Sequence, residues 1–220
     1  MTARRIALLG AESTGKSQLA HALADSLQRR GLRTAVVPEV LREWCGREGR
    51  APRPEEQLPI AREQERRVDA AAATHDVVIA DTTALMVAIY GALLYADDPL
   101  HLFALERQRR YDATLVTGLD LPWVADGLHR EGPHAREPVD RLVRDALQRA
   151  RVDYQVVYGS GPQRVAGALA ALDRLGIVAA DAHAAADVPT ARGDGGKPWV
   201  WNCDKCSDPA CEHRLFSRLR

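Results

Sequence analysis

The stretch GAESTGKS at residues 10–17 restricts the fold of this chain more than any other part of the sequence. It matches the pattern G-x-x-x-x-G-K-[ST], and it lies between an apolar run (5–10) and a helical pattern (16–31). Gly10 permits a tight turn and Gly15 lets the backbone approach phosphate oxygens, while the amide N–H groups of the loop point inward. The strand–loop–helix context therefore predicts a phosphate-binding loop rather than an ordinary glycine turn.

The same loop predicts how a nucleotide and its metal ion would be held. We expect Lys16 to reach the β- and γ-phosphates of ATP and the Ser17 hydroxyl to complete a Mg²⁺ shell. The predicted nucleotide-binding residues are Gly10, Ser13, Thr14, Gly15, Lys16 and Ser17. Magnesium also favours a carboxylate, and Asp81 ends the apolar run at residues 76–81. Asp81 is expected as the Walker B ligand, or as a helix N-cap, or as both.

Apolar runs alternate with helical patterns along most of the chain. The predicted strands are residues 5–10, 34–40, 76–81, 113–118 and 154–159. The predicted helices are residues 16–31, 59–74, two within 82–110, 138–150 and 162–176, and the proline-containing stretch 46–59 is predicted to be a loop. Continuous apolar strands between helices are typical of a parallel sheet covered on both faces. We predict an α/β fold, a P-loop NTPase three-layer sandwich with a five-stranded parallel sheet, plus a small C-terminal zinc-binding element.

The 220 residues suit one α/β domain with a small appendage. We expect a nucleotide-binding domain at residues 1–176, a linker at 177–198 and a cysteine-rich tail at 199–220. Thirty Lys and Arg residues balance thirty Asp and Glu residues, so we do not expect binding to nucleic acid through a broad positive field. The N-terminal residues do not have the pattern of a secretory signal peptide, and the apolar stretches are shorter than the ~20 residues needed to span a bilayer. We therefore expect a cytoplasmic protein without a membrane partner.

Features that follow the second and fourth strands predict phosphoryl transfer to a small acceptor. Glu39 ends the second strand, where the carboxyl edge of a parallel sheet borders the ligand crevice, so it would orient an acceptor hydroxyl and take its proton. Arg42 and Trp44 follow it and could cover a small ring. Arg130 and Arg136 lie in a loop-like stretch where guanidinium groups would close over the transferring phosphate. The alternatives are a surface glutamate that starts a helix and a solvated basic loop.

Four segments, IALLGAESTGKSQLAHALA, PEVLREW, VVIADT and LDLPWVADGLHREG, together resemble the bacterial ribosylnicotinamide kinase domain and related P-loop ATPases of the AAA type. The resemblance covers roughly residues 4–175. It implies an adenylate-kinase-like fold, with strands two and three on one side of strand one and strands four and five on the other. It also implies ATP-dependent phosphorylation of nicotinamide riboside at its 5′-hydroxyl. In that family aromatic side chains sandwich the pyridine ring, and Trp44 and Trp123 are the candidates here, or else are packing residues.

The kinase hypothesis assigns a role to each candidate residue. Its predicted catalytic residues are Lys16, Glu39, Asp81, Arg130 and Arg136, and its predicted substrate-binding residues are Glu39, Arg42, Trp44 and Trp123. The acceptor is a small molecule such as nicotinamide riboside, or alternatively a deoxynucleoside. Because the loop begins at residue 10, we expect no adenylyltransferase domain ahead of it. The rival hypothesis is a P-loop ATPase or nucleotide-gated binding module that docks a protein partner through its tail.

The tail contains Cys203-x₂-Cys206-x₄-Cys211-x-His213. A Cys-x₂-Cys pair forms half of many zinc sites, because this spacing lets two thiolates share one tetrahedral ion. We predict a structural Zn²⁺ site with these four ligands, and redox thiols, a disulfide or unliganded thiols are the alternatives. A four-ligand site is closed and non-catalytic, so the tail would anchor the C-terminus or form a docking patch for a protein partner.

Overall fold

Five parallel strands form the centre of the fold in a computed structural model that describes residues 2–92, 99–124 and 133–178. The strands are β1 (Arg4–Leu9), β2 (Thr34–Val37), β3 (Val77–Asp81), β4 (Ala113–Thr117) and β5 (Gln155–Val157). The helices are α1 (Lys16–Arg29), α2 (Val40–Glu48), α3 (Pro54–Ala72), α4 (Ala84–Ala92), α5 (Pro99–Gln108), α6 (Arg136–Ala150) and α7 (Gly161–Arg174). None of the described helices has both the length and the apolar character needed to cross a membrane. The predicted tail, nearly all of the predicted linker, and Arg130 lie outside the described residues.

The strand order in the sheet is β2-β3-β1-β4-β5. The central strand β1 pairs with β3 on one side, where Leu8 is opposite Asp81, and with β4 on the other, where Leu9 is opposite Val116. This order confirms the predicted five-stranded parallel sheet and the arrangement implied by the resemblance. Because β1 is central, the loop that follows Leu9 opens in the middle of the carboxyl edge, where ligands bind in open α/β sheets.

Helices cover both faces of the sheet, as the continuous apolar strands predict. On one face Ile6 packs in a cluster with Leu23 of α1 and Leu172 of α7. On the other face Leu9 belongs to a cluster that includes Leu147 of α6 and residues of α3, α4 and α5. All five side chains are less than 2% exposed. The sheet is therefore the rigid middle layer on which the loops at its carboxyl edge are mounted.

Helix α3 begins at Pro54, inside the stretch predicted to be a loop (46–59). Proline is tolerated in the first turn because the N–H that it lacks has no helical partner there. The Glu56 carboxylate accepts a hydrogen bond from the backbone N–H of Arg53 at 2.7 Å, which closes this turn. Pro59 lies inside the helix and removes one further backbone hydrogen bond. The prolines that indicated a loop are thus accommodated near the start of a helix.

Candidate functional site

The loop between β1 and α1 has the backbone conformation that its two glycines were predicted to allow. Gly10 and Gly15 have φ angles of 141° and 73°, in the range that favours glycine. A Cβ atom on Gly10 would overlap the hydroxyl of Thr117, and one on Gly15 would lie 3.1 Å from a methyl carbon of Leu121. Close packing and backbone conformation together require glycine at position 10, whereas at position 15 the positive φ is the main reason for glycine.

Lys16 folds back over this loop from the first position of α1. Its ammonium group donates hydrogen bonds to the carbonyl of Gly10 at 2.9 Å and to that of Ala11 at 2.8 Å. The side chain is only 7% exposed, so the charge is held against the loop rather than extended into solvent. Ser17 follows it in the first turn of α1, at the positive end of the helix dipole.

Thr14 is fully buried and is bound on two sides. Its hydroxyl donates to the carbonyl of Ala11 at 2.8 Å and lies 2.6 Å from the hydroxyl of Thr117. Its carbonyl accepts a 2.9 Å hydrogen bond from Arg164, 150 residues away in the chain. Neither Thr117 nor Arg164 was predicted from the sequence as a partner of Thr14. Thr117 could have been found as the last residue of a strand beside β1, whereas nothing local marks Arg164.

Ser13 connects the loop to the segment that follows β4. Its hydroxyl donates to the carbonyl of Val124 at 3.0 Å and accepts the backbone N–H of Val124 at 2.8 Å. Ser13 itself has a φ of 55°, which is uncommon for a residue other than glycine. In this conformation the predicted nucleotide-binding residue Ser13 holds residues 121–124 beside the phosphate-binding loop.

Asp81 lies at the end of β3, next to the central strand. Its side chain is buried, and its Oδ1 atom has no hydrogen-bond partner among the described residues. Helix α4 does not use Asp81 as its cap, because the N–H of Leu85 donates to the hydroxyl of Thr83 and the N–H of Ala84 to the carboxylate of Glu65. A buried carboxylate oxygen without a protein partner at this edge fits a divalent cation.

The described ranges contain no group of three or more His, Cys, Asp and Glu side chains placed to hold a metal ion. This is compatible with the predicted Mg²⁺ ligands Ser17 and Asp81, because Mg²⁺ usually keeps several waters and is bound through one or two carboxylates plus substrate phosphates. The predicted zinc ligands Cys203, Cys206, Cys211 and His213 lie outside the described residues.

A cavity of about 220 Å³ lies beside the phosphate-binding loop. This Lys16 cavity is lined by Glu12 and Lys16 from the loop, Glu39, Arg42 and Cys45 at α2, and Tyr90 of α4, among other residues. The Glu39 carboxylate is 12% exposed and lies 3.3 Å from the Nε atom of Arg42. Burial raises the pKa of the Cys45 thiol, and the charge of Glu39 raises it further. The cavity thus brings together three predicted residues, namely Lys16, Glu39 and Arg42.

Helix α3 positions both helices that form the wall of this cavity. Gln64 is buried and accepts the backbone N–H of Val40, the first residue of α2, at 2.8 Å. Its neighbour Glu65 accepts the backbone N–H of Ala84, the first residue of α4, at 3.0 Å. Arg107 compensates the buried charge of Glu65 at 3.2 Å. Two consecutive side chains therefore fix the starts of α2 and α4, next to Glu39 and Asp81.

Neither predicted tryptophan lines the Lys16 cavity. Trp44 instead lines a different hollow together with Val40, Glu43 and Arg47, so it lies on another face of α2 than Arg42 and Cys45. There its ring packs under the guanidinium of Arg50, 4.8 Å from the ring centroid. Trp123 is partly buried in the segment held by Ser13. The aromatic side chain that the structure brings to the cavity is instead Tyr90, which the sequence analysis did not select.

Arg136, predicted to close over the transferring phosphate, contacts the backbone that follows β4. It is buried at the start of α6, where it donates to the carbonyl of Leu121 at 2.8 Å and to that of Leu119 at 3.3 Å. These hydrogen bonds direct the guanidinium to the backbone that follows β4 rather than to a phosphate. Arg136 therefore positions this segment in the described conformation.

A second hollow lies on the opposite flank of the phosphate-binding loop. This α1–α7 groove, of about 610 Å³, is lined by Gly15 and Gln18, by Leu121, and by Gly161, Pro162 and Arg164 of α7, among other residues. Gly15 and Lys16 are adjacent in the chain, yet each contributes to a different hollow. The loop therefore separates two sites, each large enough to admit part of a small ligand.

Comparison with known proteins places this geometry among nucleotide-binding domains. Residues 5–164 match the model of a protein family described as an AAA domain. A search of curated proteins by sequence gave no match.

Solved structures with a similar fold include two of a NadR protein and one of a thymidylate kinase. A NadR protein in complex with NAD and AMP-PNP has a TM-score of 0.60 and 19% identity, over 80% of this chain and 50% of that one. A NadR protein in complex with NR has a TM-score of 0.63 and 20% identity, over 80% of this chain and 52% of that one. Thymidylate kinase from Ehrlichia chaffeensis has a TM-score of 0.54 and 12% identity, over 80% of this chain and 100% of that one. The chain thus spans about half the length of the NadR chains and shares their fold.

Proposed function

Because this chain belongs to the AAA domain family, we propose that it is an ATP-dependent phosphotransferase that acts on a small nucleoside-like acceptor. The observation that carries the proposal is the Lys16 cavity, since a cleft bordered by both Lys16 and Glu39 lies directly beside the phosphate-binding loop. A P-loop kinase fold implies ATP and Mg²⁺ as co-substrate and metal.

The two hollows suit the two substrates of such a reaction. The triphosphate of ATP would lie along the loop, with its base toward the α1–α7 groove and its γ-phosphate toward Lys16. The acceptor would occupy the Lys16 cavity, whose wall is largely apolar and carries a few polar groups, as is usual for ligand pockets. In this arrangement the acceptor hydroxyl approaches the γ-phosphate from the side opposite to the leaving ADP.

The residues of the site supply binding, orientation and a proton acceptor. Lys16 would exchange the carbonyls of Gly10 and Ala11 for phosphate oxygens. Ser17 and Asp81 would hold Mg²⁺, which neutralises charge on the phosphates when it is bound. The acceptor oxygen then forms a bond to the γ-phosphorus, the bond to the β–γ bridging oxygen breaks, and the hydroxyl proton passes to Glu39.

Nicotinamide riboside is the acceptor that we propose to test first. The sequence resembles bacterial ribosylnicotinamide kinase domains, and the fold resembles a NadR protein in complex with NR. Tyr90 is the aromatic side chain that could stack on a ring in the cavity. The fold similarity to thymidylate kinase makes pyrimidine nucleosides and nucleotides the second group to test.

The experiment incubates the full chain with Mg²⁺ and ATP, alone and with each acceptor, and measures ADP and phosphorylated product by mass spectrometry. We expect one acceptor to stimulate ADP formation strongly and to be recovered with one added phosphate. Lys16→Ala should lower turnover by about a hundredfold or more, because it removes charge stabilisation of the transferring group. Arg141→Ala, at an exposed position of α6, is the control and should leave turnover unchanged. ATP hydrolysis that no acceptor stimulates would contradict the kinase proposal and support the ATPase alternative.

A further inference from the structure

Arg164 connects the start of α7 to the phosphate-binding loop. It is the fourth residue of α7, and its side chain is only 5% exposed. One terminal nitrogen donates to the carbonyl of Thr14 at 2.9 Å, and the other donates to the carbonyl of Gly159 at 2.7 Å. A single planar guanidinium thus joins two loops that lie far apart in the sequence.

The hydrogen bond to Thr14 fixes the orientation of one peptide group in the loop. The C=O of Thr14 and the N–H of Gly15 belong to the same trans peptide plane and point in opposite directions. While Arg164 holds the carbonyl of Thr14, the N–H of Gly15 is directed away from Arg164 and α7. Inward N–H groups are what an anion-binding nest requires. The hydroxyl of Thr14 is also bound internally, so this residue has little freedom to turn its peptide over.

The guanidinium is itself held in place by Asp120. An Asp120 carboxylate oxygen lies 3.4 Å from Arg164, and the other accepts the backbone N–H of Gly159 at 2.6 Å. Burial lowers the pKa of Arg164 while Asp120 opposes that change, and an arginine stays charged near neutral pH in either case. A positive charge is therefore fixed behind the loop whose inner side would face a triphosphate.

Arg164 also lines the α1–α7 groove together with Gly15 and Gly161. We propose that Arg164 is a positioning residue that sets the Thr14–Gly15 peptide for phosphate binding and couples this loop to the start of α7. The inference rests on the proposed function only in that the loop must bind a nucleotide. It does not depend on which acceptor is phosphorylated.

The test measures affinities of the full chain for Mg²⁺-ATP and for inorganic tripolyphosphate by titration calorimetry. Tripolyphosphate has no base, so it reports on the loop alone. We expect Arg164→Gln to weaken both ligands about tenfold, the size typical of losing a hydrogen bond to a charged group. Arg164→Lys should recover part of the loss, because an ammonium keeps the charge but cannot bridge both carbonyls. Arg174→Gln, an exposed arginine in the last turn of the same helix, is the matched control and should bind like the wild type.

Thermal unfolding of each variant separates positioning from simple destabilisation. Titrations are made well below the lowest melting temperature, so a variant that is only less stable keeps wild-type affinity. If Arg164→Gln does not fold, the test rests on Arg164→Lys alone. We then expect the folded Arg164→Lys variant to bind both ligands more weakly than the wild type. Wild-type affinity in a folded Arg164→Gln or Arg164→Lys variant would overturn the inference while leaving the proposed function in place. A wild-type chain that binds neither ligand would overturn the proposed function and the inference with it.

Discussion

Glu39 and Glu43 lie four residues apart but face different surroundings. Glu39 precedes α2 with extended backbone angles, and its carboxylate borders the Lys16 cavity. Glu43 lies inside the helix, where it pairs with Arg67 at 2.7 Å and stays about half exposed. Glu39 was expected at the end of the second strand and does border the cavity, although β2 ends at Val37 and Glu39 is the residue before α2. The position of Trp44 could not be predicted in the same way. The face of α2 on which a residue lies depends on where the helix starts, and the buried side chain of Gln64 sets that start.

Substitution of Glu39 tests its role as the proton acceptor. Glu39→Gln should leave the affinity for Mg²⁺-ATP near that of the wild type and should slow phosphoryl transfer by about a factor of 10²–10⁴, the range typical of general bases. Glu43→Gln removes the same charge one turn further along and is expected to be neutral in both measurements. The test measures the affinity for Mg²⁺-ATP and the single-turnover rate of the wild type and of both variants. Loss of affinity in parallel with rate would mean that Glu39 is structural.

At the scale of elements, the strands and most helices could be predicted because burial on both faces leaves long apolar runs. The first turn of α3 could not, since Pro54 and the charged residues Glu55 and Glu56 read locally as a loop. That turn is held by an ion pair between residues six positions apart, in which Arg50 donates two hydrogen bonds of 2.7 Å to Glu56. The pair also positions Arg50 over Trp44 and at the rim of the Lys16 cavity. Such an ion pair has no characteristic sequence spacing, so it could not be predicted from the local pattern.

The charge of Glu56 makes the stability of this turn depend on pH. Hydrogen bonds from Arg50, and then from the backbone of Arg53, lower the pKa of Glu56 from 4.5 to about 2. A pKa lowered in the folded state means that the stabilisation is complete above pH 4.5 and is lost as the pH falls toward about 2. Glu56→Gln should therefore reduce stability at pH 7 and flatten its decrease over that acidic range.

Urea unfolding at a series of pH values measures this effect. Glu55→Gln is the matched control because it removes a carboxylate from the same turn but not from the ion pair with Arg50. We expect Glu55→Gln to follow the wild-type pH dependence. An unchanged acidic slope in Glu56→Gln would show that the ion pair does not contribute to stability in solution.

At the scale of the molecule, the central position of β1 explains why so much of the site converges on one loop. The neighbours β3 and β4 bring Asp81 and Thr117 to that loop, and the outer strands lead into α2 and α7, which border the two hollows. This convergence follows from strand order, which the resemblance to a known family implied. Composition alone could not have given it, because the same pattern of alternating strands and helices is compatible with several parallel sheet orders.

The last prediction concerns the whole chain, including the tail that lies outside the described residues. From the sequence we expect one Zn²⁺ per chain, bound by Cys203, Cys206, Cys211 and His213. A four-ligand site has no open position for a substrate, so the metal should be structural. Elemental analysis of the purified full chain should find one zinc ion, and Cys203→Ser together with Cys206→Ser should abolish it. Cys45→Ser is the matched control, and the zinc content should remain that of the wild type.

Nucleotide binding should be independent of this metal, since the phosphate-binding loop and its partners Thr117 and Arg164 all lie within residues 2–178 and involve no cysteine. The tail double variant is therefore expected to bind Mg²⁺-ATP with wild-type affinity in the same calorimetric titration. A chain purified without zinc, whose thiol titration shows a disulfide, would replace the metal hypothesis by the redox alternative. Weaker ATP binding in the tail variant would instead mean that the tail acts on the nucleotide site, as the hypothesis of a nucleotide-gated docking module requires.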